Sequence, residues 1–143
     1  ALVNDAQVNL LELSNRTKKR IDALNEEAGE EIFGFCFDVG HANVTGRDIK
    51  HDLKVLADRV TILHIHDNDR NQDLHLIPYT AVRDYKLTLD WDGFVEGLKV
   101  IGYSGTLSFE TFNGVKKMPK EATGAALKLV RAIGESFVNR LDQ

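Results

Sequence analysis

Ionisable side chains recur where short apolar segments of this sequence end. The segment FGFCFD ends in Asp38, and His41 follows three residues later. The segment VTILHIH carries His64 and His66 at its end, and the segment TLSFE ends in Glu110. Two carboxylates and an imidazole are ligands that suit Mn²⁺, Co²⁺, Zn²⁺ or Mg²⁺. If the three segments end at one place, Asp38, His64 and Glu110 form a divalent-metal site.

The elements that would position these residues alternate along the chain. The apolar and β-branched segments Phe33–Asp38, Val60–His66 and Thr106–Glu110 are typical of buried strands. Apolar residues at three- and four-residue steps predict helices around them. These helices cover Leu13–Ala28 (begun by Ser14 or Asn15 and ended by Gly29), Ile49–Val60 (begun by Asp48), Trp91–Ile101 (begun by Asp90) and Ala122–Phe137 (with Pro119 near the first turn).

Strands that are separated by helices are joined by crossovers, so we expect them to be parallel in an α/β fold. Ligands of such folds bind at the carboxyl ends of the strands, where the ionisable residues fall. A closed (β/α)8 barrel needs about 250 residues, whereas this chain has 143. We therefore expect residues 1–143 to form a single partial TIM-barrel domain, the C-terminal part of a barrel without its N-terminal strands.

Each of these residues also has an ordinary explanation. An Asp after a strand often caps a helix, and a single His or Glu at a strand end is usually solvated. Their joint placement at three strand ends favours the metal site. His66 shares a strand face with His64, which makes it a candidate for substrate contact or for support of the site. Asp67 is expected to hold the loop that follows.

The loop segment QDLHLIP contains a second, weaker pattern. Asp73 and His75 could hold a further metal ion, or they could be a turn residue and an exposed imidazole. Cys36 precedes Asp38 by two residues and is expected to face the barrel interior as a small apolar side chain.

Composition and charge narrow the class of protein. A net charge of −4, from 18 Lys and Arg against 22 Asp and Glu, argues against a nucleic-acid partner. No apolar run approaches the ~20 residues of a membrane span, so we expect no membrane contact. The single cysteine favours a reducing, cytoplasmic setting. Because no Met begins the sequence, we expect a processed chain or part of a longer protein.

The motifs DVGHA, LHIHDND, DLHLIP and LDWDGFVEGLKVIGYSGTLSFE, in this order, resemble the xylose-isomerase-like TIM-barrel superfamily. That superfamily includes sugar isomerases and epimerases, inosose dehydratase and endonuclease IV. The resemblance runs from about residue 33 to residue 112. It is specific to the superfamily and not to one enzyme.

The resemblance implies roles for individual residues. Asp38, His64 and Glu110 resemble the metal ligands, and Glu110 also resembles the acid/base that moves a substrate proton. His41 resembles a histidine that touches substrate in epimerases or binds a second metal in the nuclease. Arg70 resembles an arginine that contacts a distal hydroxyl or phosphate. Asp73 and His75 resemble the pair that binds an extra zinc in the nuclease.

One ligand of the family is not found in the expected place. Its members take a further metal-binding glutamate from an earlier strand. Glu12 is a poor substitute because it lies close to Asp38 in sequence, so we expect the missing ligand outside this chain.

The function implied by the resemblance is a divalent-metal-dependent isomerase or epimerase. It would act on a small sugar or sugar phosphate through an enediolate, with Glu110 and His41 as catalytic residues. The alternatives are a zinc-dependent apurinic/apyrimidinic endonuclease and a non-catalytic barrel fragment. The expected partner is the missing N-terminal barrel half or a second copy of the chain.

Overall fold

The computed structural model describes the backbone of residues 4–143 and the side chains of residues 10 and 12–143. Its helices are α1 (Asn4–Ala28), α2 (Val39–Val44), α3 (Ile49–Leu56), α4 (Trp91–Val100), α5 (Phe112–Lys116) and α6 (Lys120–Leu141), with a 3₁₀ turn at Ala57–Arg59. Its strands are β1 (Phe35–Asp38), β2 (Val60–Ile65), β3 (Val82–Arg83), β4 (Lys86–Leu87) and β5 (Leu107–Phe109).

The central sheet contains β1, β2 and β5 in that order, and both pairs of neighbours are parallel. Helices connect each strand to the next, so the predicted parallel strand–helix architecture is confirmed. The three predicted strands are present with slightly shorter bounds. Asp38 is the register partner of His64, and His64 is the partner of Ser108.

One face of the sheet packs against the helices and forms the core. Phe37, Leu63 and Ile65 point to this side and are buried. They belong to one cluster with buried residues of the helices, among them Leu53, Leu56, Phe94, Leu98 and Phe137. Strand side chains alternate between the two faces, which explains why Leu63 and Ile65 are buried while Ile62 and His64 are not.

The opposite face of the sheet is open. Ile62 is 51% exposed, and its register partner Cys36 is also exposed. Cys36 therefore lies on the predicted inner face, but nothing in the described part of the chain covers it. Partial desolvation by the neighbouring strand residues raises the pKa of the exposed Cys36 thiol, and the nearby carboxylates of Asp38 and Glu110 raise it further.

The helix ends show which sequence signals were reliable. Asp48 and Asp90 cap α3 and α4 as predicted, each accepting a hydrogen bond at 2.9 Å from the backbone amide three residues on. Gly29 follows the last residue of α1 with φ +74°, a conformation that suits glycine.

The predicted beginning of α1 is wrong. The helix already starts at Asn4, and Ser14 lies in its middle. The Ser14 hydroxyl is buried and donates to Asp52 on α3, and Arg47 bonds both residues. Ser14 therefore does not cap α1: its hydroxyl bonds the Asp52 side chain of α3 instead of a backbone amide in the first turn of its own helix.

Three short elements were not predicted: α2, α5 and the β3–β4 hairpin. The hairpin turns at Asp84 and Tyr85, which both have positive φ, and Tyr85 is fully exposed. Within residues 4–143 no helix combines the length and the apolar character needed to cross a bilayer.

Candidate metal centre

Asp38, His64 and Glu110 converge because three parallel strands end at the same edge of the sheet. Asp38 ends β1 and lies beside His64 in the register of β2. Glu110 directly follows β5, and its backbone amide donates to the Ile65 carbonyl at 3.0 Å, which extends the ladder by one residue. The side chains therefore project from the same face of the sheet, the open one.

These three residues, called the strand-end group below, offer ligand atoms at short range. His64 Nδ1 lies 3.2 Å from Glu110 Oε2 and 3.7 Å from Asp38 Oδ2. One ligand atom from each residue lies within 4.8 Å of the other two. All three side chains are partly exposed on the open face, so a cation and a substrate could both reach them.

The donor set fits a small divalent cation. Neighbouring ligand atoms at about 2.0–2.1 Å from a metal are separated from one another by about 2.8–3.4 Å in octahedral or tetrahedral geometry. The observed separations are close to this range. The ion-pair partners of Asp38 and Glu110 among the described side chains are all histidines. No lysine or arginine in that part of the chain therefore neutralises the two carboxylates.

A second set of side chains lies beside the first: His41, His66, Asp73 and His75, called the loop group below. His41 Nε2 and His75 Nε2 each lie 3.1 Å from Asp73 Oδ2. His75 has φ +50°, and its Nδ1 donates to the Glu110 carbonyl at 2.9 Å. The Asp73 and His75 pair of the sequence analysis is thus brought together with two further histidines.

His41 lies between the two groups. Its Nδ1 is 3.0 Å from Asp38 Oδ2, on the side opposite to the contact with Asp73. The His41 side chain is 57% exposed, which leaves it accessible to a ligand on the open face. This position is compatible with the substrate contact predicted for it.

Asp38 has a second local role. It caps α2, accepting from the His41 backbone amide at 2.8 Å. The ordinary explanation of an Asp after a strand therefore holds as well. The same cap fixes the start of the helix that carries His41, because His41 is the third residue of α2.

Electrostatics in the cluster favour charged carboxylates. Burial opposes the charge of Asp38, but hydrogen bonds from His66 and the His41 amide outweigh it and hold the pKa of Asp38 below its usual value. Burial likewise opposes the charge of Asp73, but the contact with His41 and the neighbouring histidines lower its pKa. Burial disfavours an imidazolium at His66, yet the bond to Asp38 raises the pKa of that histidine.

Two predicted residues lie elsewhere than expected. His66 is fully buried, so its ring offers no surface to a substrate, contrary to the contact predicted for it. It shares a strand face with His64, but Gly40 and the stacked ring of His75 cover it. Arg70 is exposed with φ +63° and lines a separate cavity with Tyr79 and Trp91. It belongs to neither group of ligands.

Glu12 does not supply the further carboxylate. It is exposed on α1 and is absent from both groups of potential ligands in the described residues. Its place on a helix, and not at a strand end, separates it from the open edge of the sheet.

Two supporting residues were missed by sequence reasoning. A Cβ on Gly40 would overlap the His66 ring, so only glycine leaves room for it. Asn68 is buried, donates to the Gly40 carbonyl at 2.7 Å and accepts from Asn43 at 2.9 Å. The signal for Gly40 was its place between two candidate ligands. Asn68 gave no signal, because its partners Gly40 and Asn43 lie on α2, far away in sequence.

Asp67 holds the following loop, as predicted. Its carboxylate accepts from the backbone amides of Thr80 and Ala81, each at 3.2 Å. Its backbone exchanges two hydrogen bonds of 2.9 Å with Leu76. The loop that carries Asp73 and His75 is thereby tied to the end of β2.

The chain is similar in sequence to two longer proteins that are themselves uncharacterized. The chain is 32% identical over 81 residues to the uncharacterized protein y4fM of Sinorhizobium fredii (strain NBRC 101917 / NGR234), covering 57% of this chain and 24% of that protein. It is 33% identical over 82 residues to the uncharacterized protein MJ1311 of Methanocaldococcus jannaschii, covering 56% and 26%. The chain thus spans about a quarter of the length of these relatives.

A solved structure described as a D-tagatose 3-epimerase-like protein shares the fold with a TM-score of 0.57 at 24% identity. The match covers 76% of this chain and 36% of that one. The sequence profile of the xylose isomerase-like TIM barrel matches residues 7–133, most of the chain. Together with the parallel strand–helix units and the convergence at their carboxyl ends, this shows that the chain belongs to the xylose isomerase-like TIM-barrel family.

Proposed function

We propose that the complete protein is a divalent-metal-dependent isomerase or epimerase of a small sugar or sugar phosphate. The observation that carries the proposal is the strand-end group, in which two carboxylates and an imidazole from three strands meet on an open face. The family comparison and the epimerase-like structural neighbour support the same reading.

In this proposal Asp38, His64 and Glu110 hold the cation, and Mn²⁺, Co²⁺, Mg²⁺ or Zn²⁺ would suit their donor atoms. A bound divalent cation supplies Lewis-acid polarisation of the sugar carbonyl. The two carboxylates also orient the imidazole of His64, because Nδ1 lies between them.

Glu110 is the proposed acid/base. Its carboxylate is partly exposed and lies at the edge of the open face, where a sugar carbon next to the carbonyl can approach it. A carboxylate within hydrogen-bond reach of that carbon removes its proton and can return it on the neighbouring carbon, which isomerises the sugar. Epimerisation needs a second acid on the opposite face, which the proposed further carboxylate from outside residues 1–143 would supply. His41 is the proposed donor to a substrate oxygen, because it is the most exposed histidine of the cluster.

Arg70 remains a proposed contact for a distal hydroxyl or phosphate. In the structure it lines a cavity with Tyr79, Trp91 and Asp92, next to the loop that follows β2. A sugar phosphate long enough to extend from the open face toward this cavity would bring its anionic end to the guanidinium.

The site is proposed to be completed by residues outside residues 1–143. The sheet has parallel strands at both edges, and its inner face is uncovered. We propose that an N-terminal barrel half, or else a second copy of the chain, covers these surfaces and supplies the further carboxylate. The greater length of the relatives supports the first of these. A cytoplasmic location is part of the proposal.

A zinc-dependent endonuclease acting at abasic sites is the second candidate. The loop group favours it, because further nitrogen and oxygen ligands beside the strand-end group could serve more than one zinc ion. The net charge of −4 opposes it, since a DNA-binding groove needs basic residues.

The test uses the full-length protein, loaded in turn with Mn²⁺, Co²⁺, Mg²⁺ and Zn²⁺. A panel of keto- and aldo-sugars and their phosphates is incubated in D₂O and followed by proton NMR. The proposal expects deuterium at the carbon next to the carbonyl together with a new sugar isomer. Cleavage of a duplex with one abasic site, without exchange into any sugar, would establish the endonuclease instead.

A further inference from the structure

We propose that His66 is a positioning residue for Asp38 and not a ligand of the loop group. This inference rests on the proposed metal centre and names the residue that holds one of its carboxylates in place. It concerns a ring that is fully buried and is therefore not exposed on the open face of the sheet.

The ring of His66 lies between the two groups of ligands. Its Nε2 is 3.0 Å from Asp38 Oδ1 and 3.7 Å from Asp73 Oδ1. The first distance is that of a hydrogen bond and the second is not. The contact with the strand-end group is therefore the one that the ring makes.

The position of the ring is fixed from two sides. Its face stacks on His75 with 3.9 Å between the ring centroids and 6° between the planes. A Cβ on Gly40 would overlap Cε1 and both ring nitrogens, so the Gly40 backbone packs against the ring at Cε1. Nδ1 is buried without a hydrogen-bond partner among the described residues. Nε2 is thus the ring nitrogen that interacts with the site.

One nitrogen cannot fill both roles. To donate to Asp38, Nε2 must carry a hydrogen, whereas a metal ligand must offer its lone pair. The 3.0 Å contact therefore removes His66 from the loop group as long as Asp38 is charged. Of the four members of that group, His41, Asp73 and His75 remain available.

The bond orients the Asp38 carboxylate. Oδ1 accepts from both His66 Nε2 and the His41 backbone amide. Oδ2 is the oxygen that faces His64 Nδ1 in the strand-end group. Hydrogen-bond partners that orient a metal ligand typically change metal affinity about 10–100-fold when they are removed.

Two substitutions separate the roles. His66→Gln keeps an amide N–H near the position of Nε2 but offers no nitrogen lone pair for a metal, whereas His66→Leu removes both functions. Each is made together with Asp73→Asn, which disables the loop group, and is compared with Asp73→Asn alone. Co²⁺ is titrated into each protein and followed by its visible absorption.

The proposal expects His66→Gln to bind Co²⁺ nearly as tightly as the reference and His66→Leu to bind about 10–100-fold more weakly. Equal losses in both variants, or no loss in either, would overturn it. Gly40→Ala serves as a second route, because its methyl group displaces the His66 ring while His66 itself is retained. It should weaken Co²⁺ binding like His66→Leu, and thermal unfolding verifies that each variant is folded.

A metal-free measurement keeps this inference separate from the metal centre. Nitrogen-15 NMR of the chelator-treated chain reports which ring nitrogens carry hydrogen. The proposal requires a hydrogen on Nε2 of His66 that is hydrogen-bonded to Asp38 and is perturbed by Asp38→Asn. A bare Nε2 would refute the positioning role even if Co²⁺ binds. Failure of Co²⁺ to bind, with a protonated Nε2, would instead refute the metal centre alone.

Discussion

Asp38 and His64 occupy paired positions on adjacent parallel strands, and their side chains meet with 3.7 Å between Oδ2 and Nδ1. The two residues are far apart in sequence, and the hydrogen-bonded register of β1 and β2 is what places them side by side. Any ligand that requires both must therefore depend on the integrity of the β1–β2 ladder.

Replacing the proposed acid/base tests the reaction. Glu110→Gln should lower turnover of the full-length enzyme by at least about 10²–10⁴-fold, because the amide cannot take up a proton. The sugar-exchange assay measures this loss. Glu27→Gln is the matched control, since Glu27 is exposed on α1 and belongs to neither ligand group. Equal activity in both variants would contradict the role of Glu110.

Metal addition should stabilise the chain. A cation present at a hundred times its dissociation constant raises the free energy of unfolding by about 2.7 kcal/mol. For a domain of this size that corresponds to an increase of roughly 8 °C in Tm. Differential scanning calorimetry with Mn²⁺ and with a chelator measures the shift. The double variant Asp38→Asn, Glu110→Gln should lose it, and an undiminished shift there would mean that the cation binds elsewhere.

The bond between Asp38 and His66 predicts a pH dependence of the metal-free chain. The lowered pKa of Asp38 stabilises the fold above the unfolded value of 3.8, and this contribution is lost as the pH falls through the folded pKa. The raised pKa of His66 stabilises the fold below the unfolded value of 6.5, and this contribution is lost as the pH rises through the folded pKa.

The pair should therefore contribute most between pH 3.8 and 6.5. Urea unfolding of the unsubstituted chain and of His66→Gln is measured across the pH range. The difference between the two profiles separates the contribution of His66 from that of the other histidines. The variant should show a smaller fall in stability above neutral pH. Identical profiles for the two proteins would disagree with the raised pKa.

Core packing predicts a large loss of stability on truncation of Leu53, an α3 residue that is fully buried in the main core cluster. Leu53→Ala should lower the free energy of unfolding by about 2–5 kcal/mol. Leu129→Ala on α6 makes the same chemical change at a side chain that is 49% exposed and should cost far less. Urea denaturation of both variants checks the difference, and similar losses would be inconsistent with this core.

The open sheet predicts association of the isolated chain. Unpaired strand edges and an uncovered apolar face favour contact with other chains. Ile62→Lys places a charge on that face without touching the core, so it should reduce the association. Sedimentation velocity over a wide concentration range measures the effect. A monomer at all concentrations, with cooperative unfolding, would show that the partial barrel is self-sufficient.

The sequence predicted the strands and the helix caps at Asp48 and Asp90 because these features depend on local patterns. It also predicted that Asp38, His64 and Glu110 lie close together, since parallel strands bring their carboxyl ends to one edge of the sheet. It misplaced Ser14, whose partner Asp52 lies on another helix. The burial of His66 depends on Gly40 and on the stacked ring of His75. These are tertiary contacts, which leave no periodic pattern in the sequence.

The loop after β2 is tied to the ends of two strands by hydrogen bonds. Leu76 exchanges two backbone hydrogen bonds with Asp67, and His75 is bonded to the Glu110 carbonyl on a different strand. Amide hydrogens normally exchange quickly with solvent in a loop of this length, because loops open independently of the core. Here the Leu76 amide can be released only by detaching the loop from β2, and it should exchange on the time scale of the sheet.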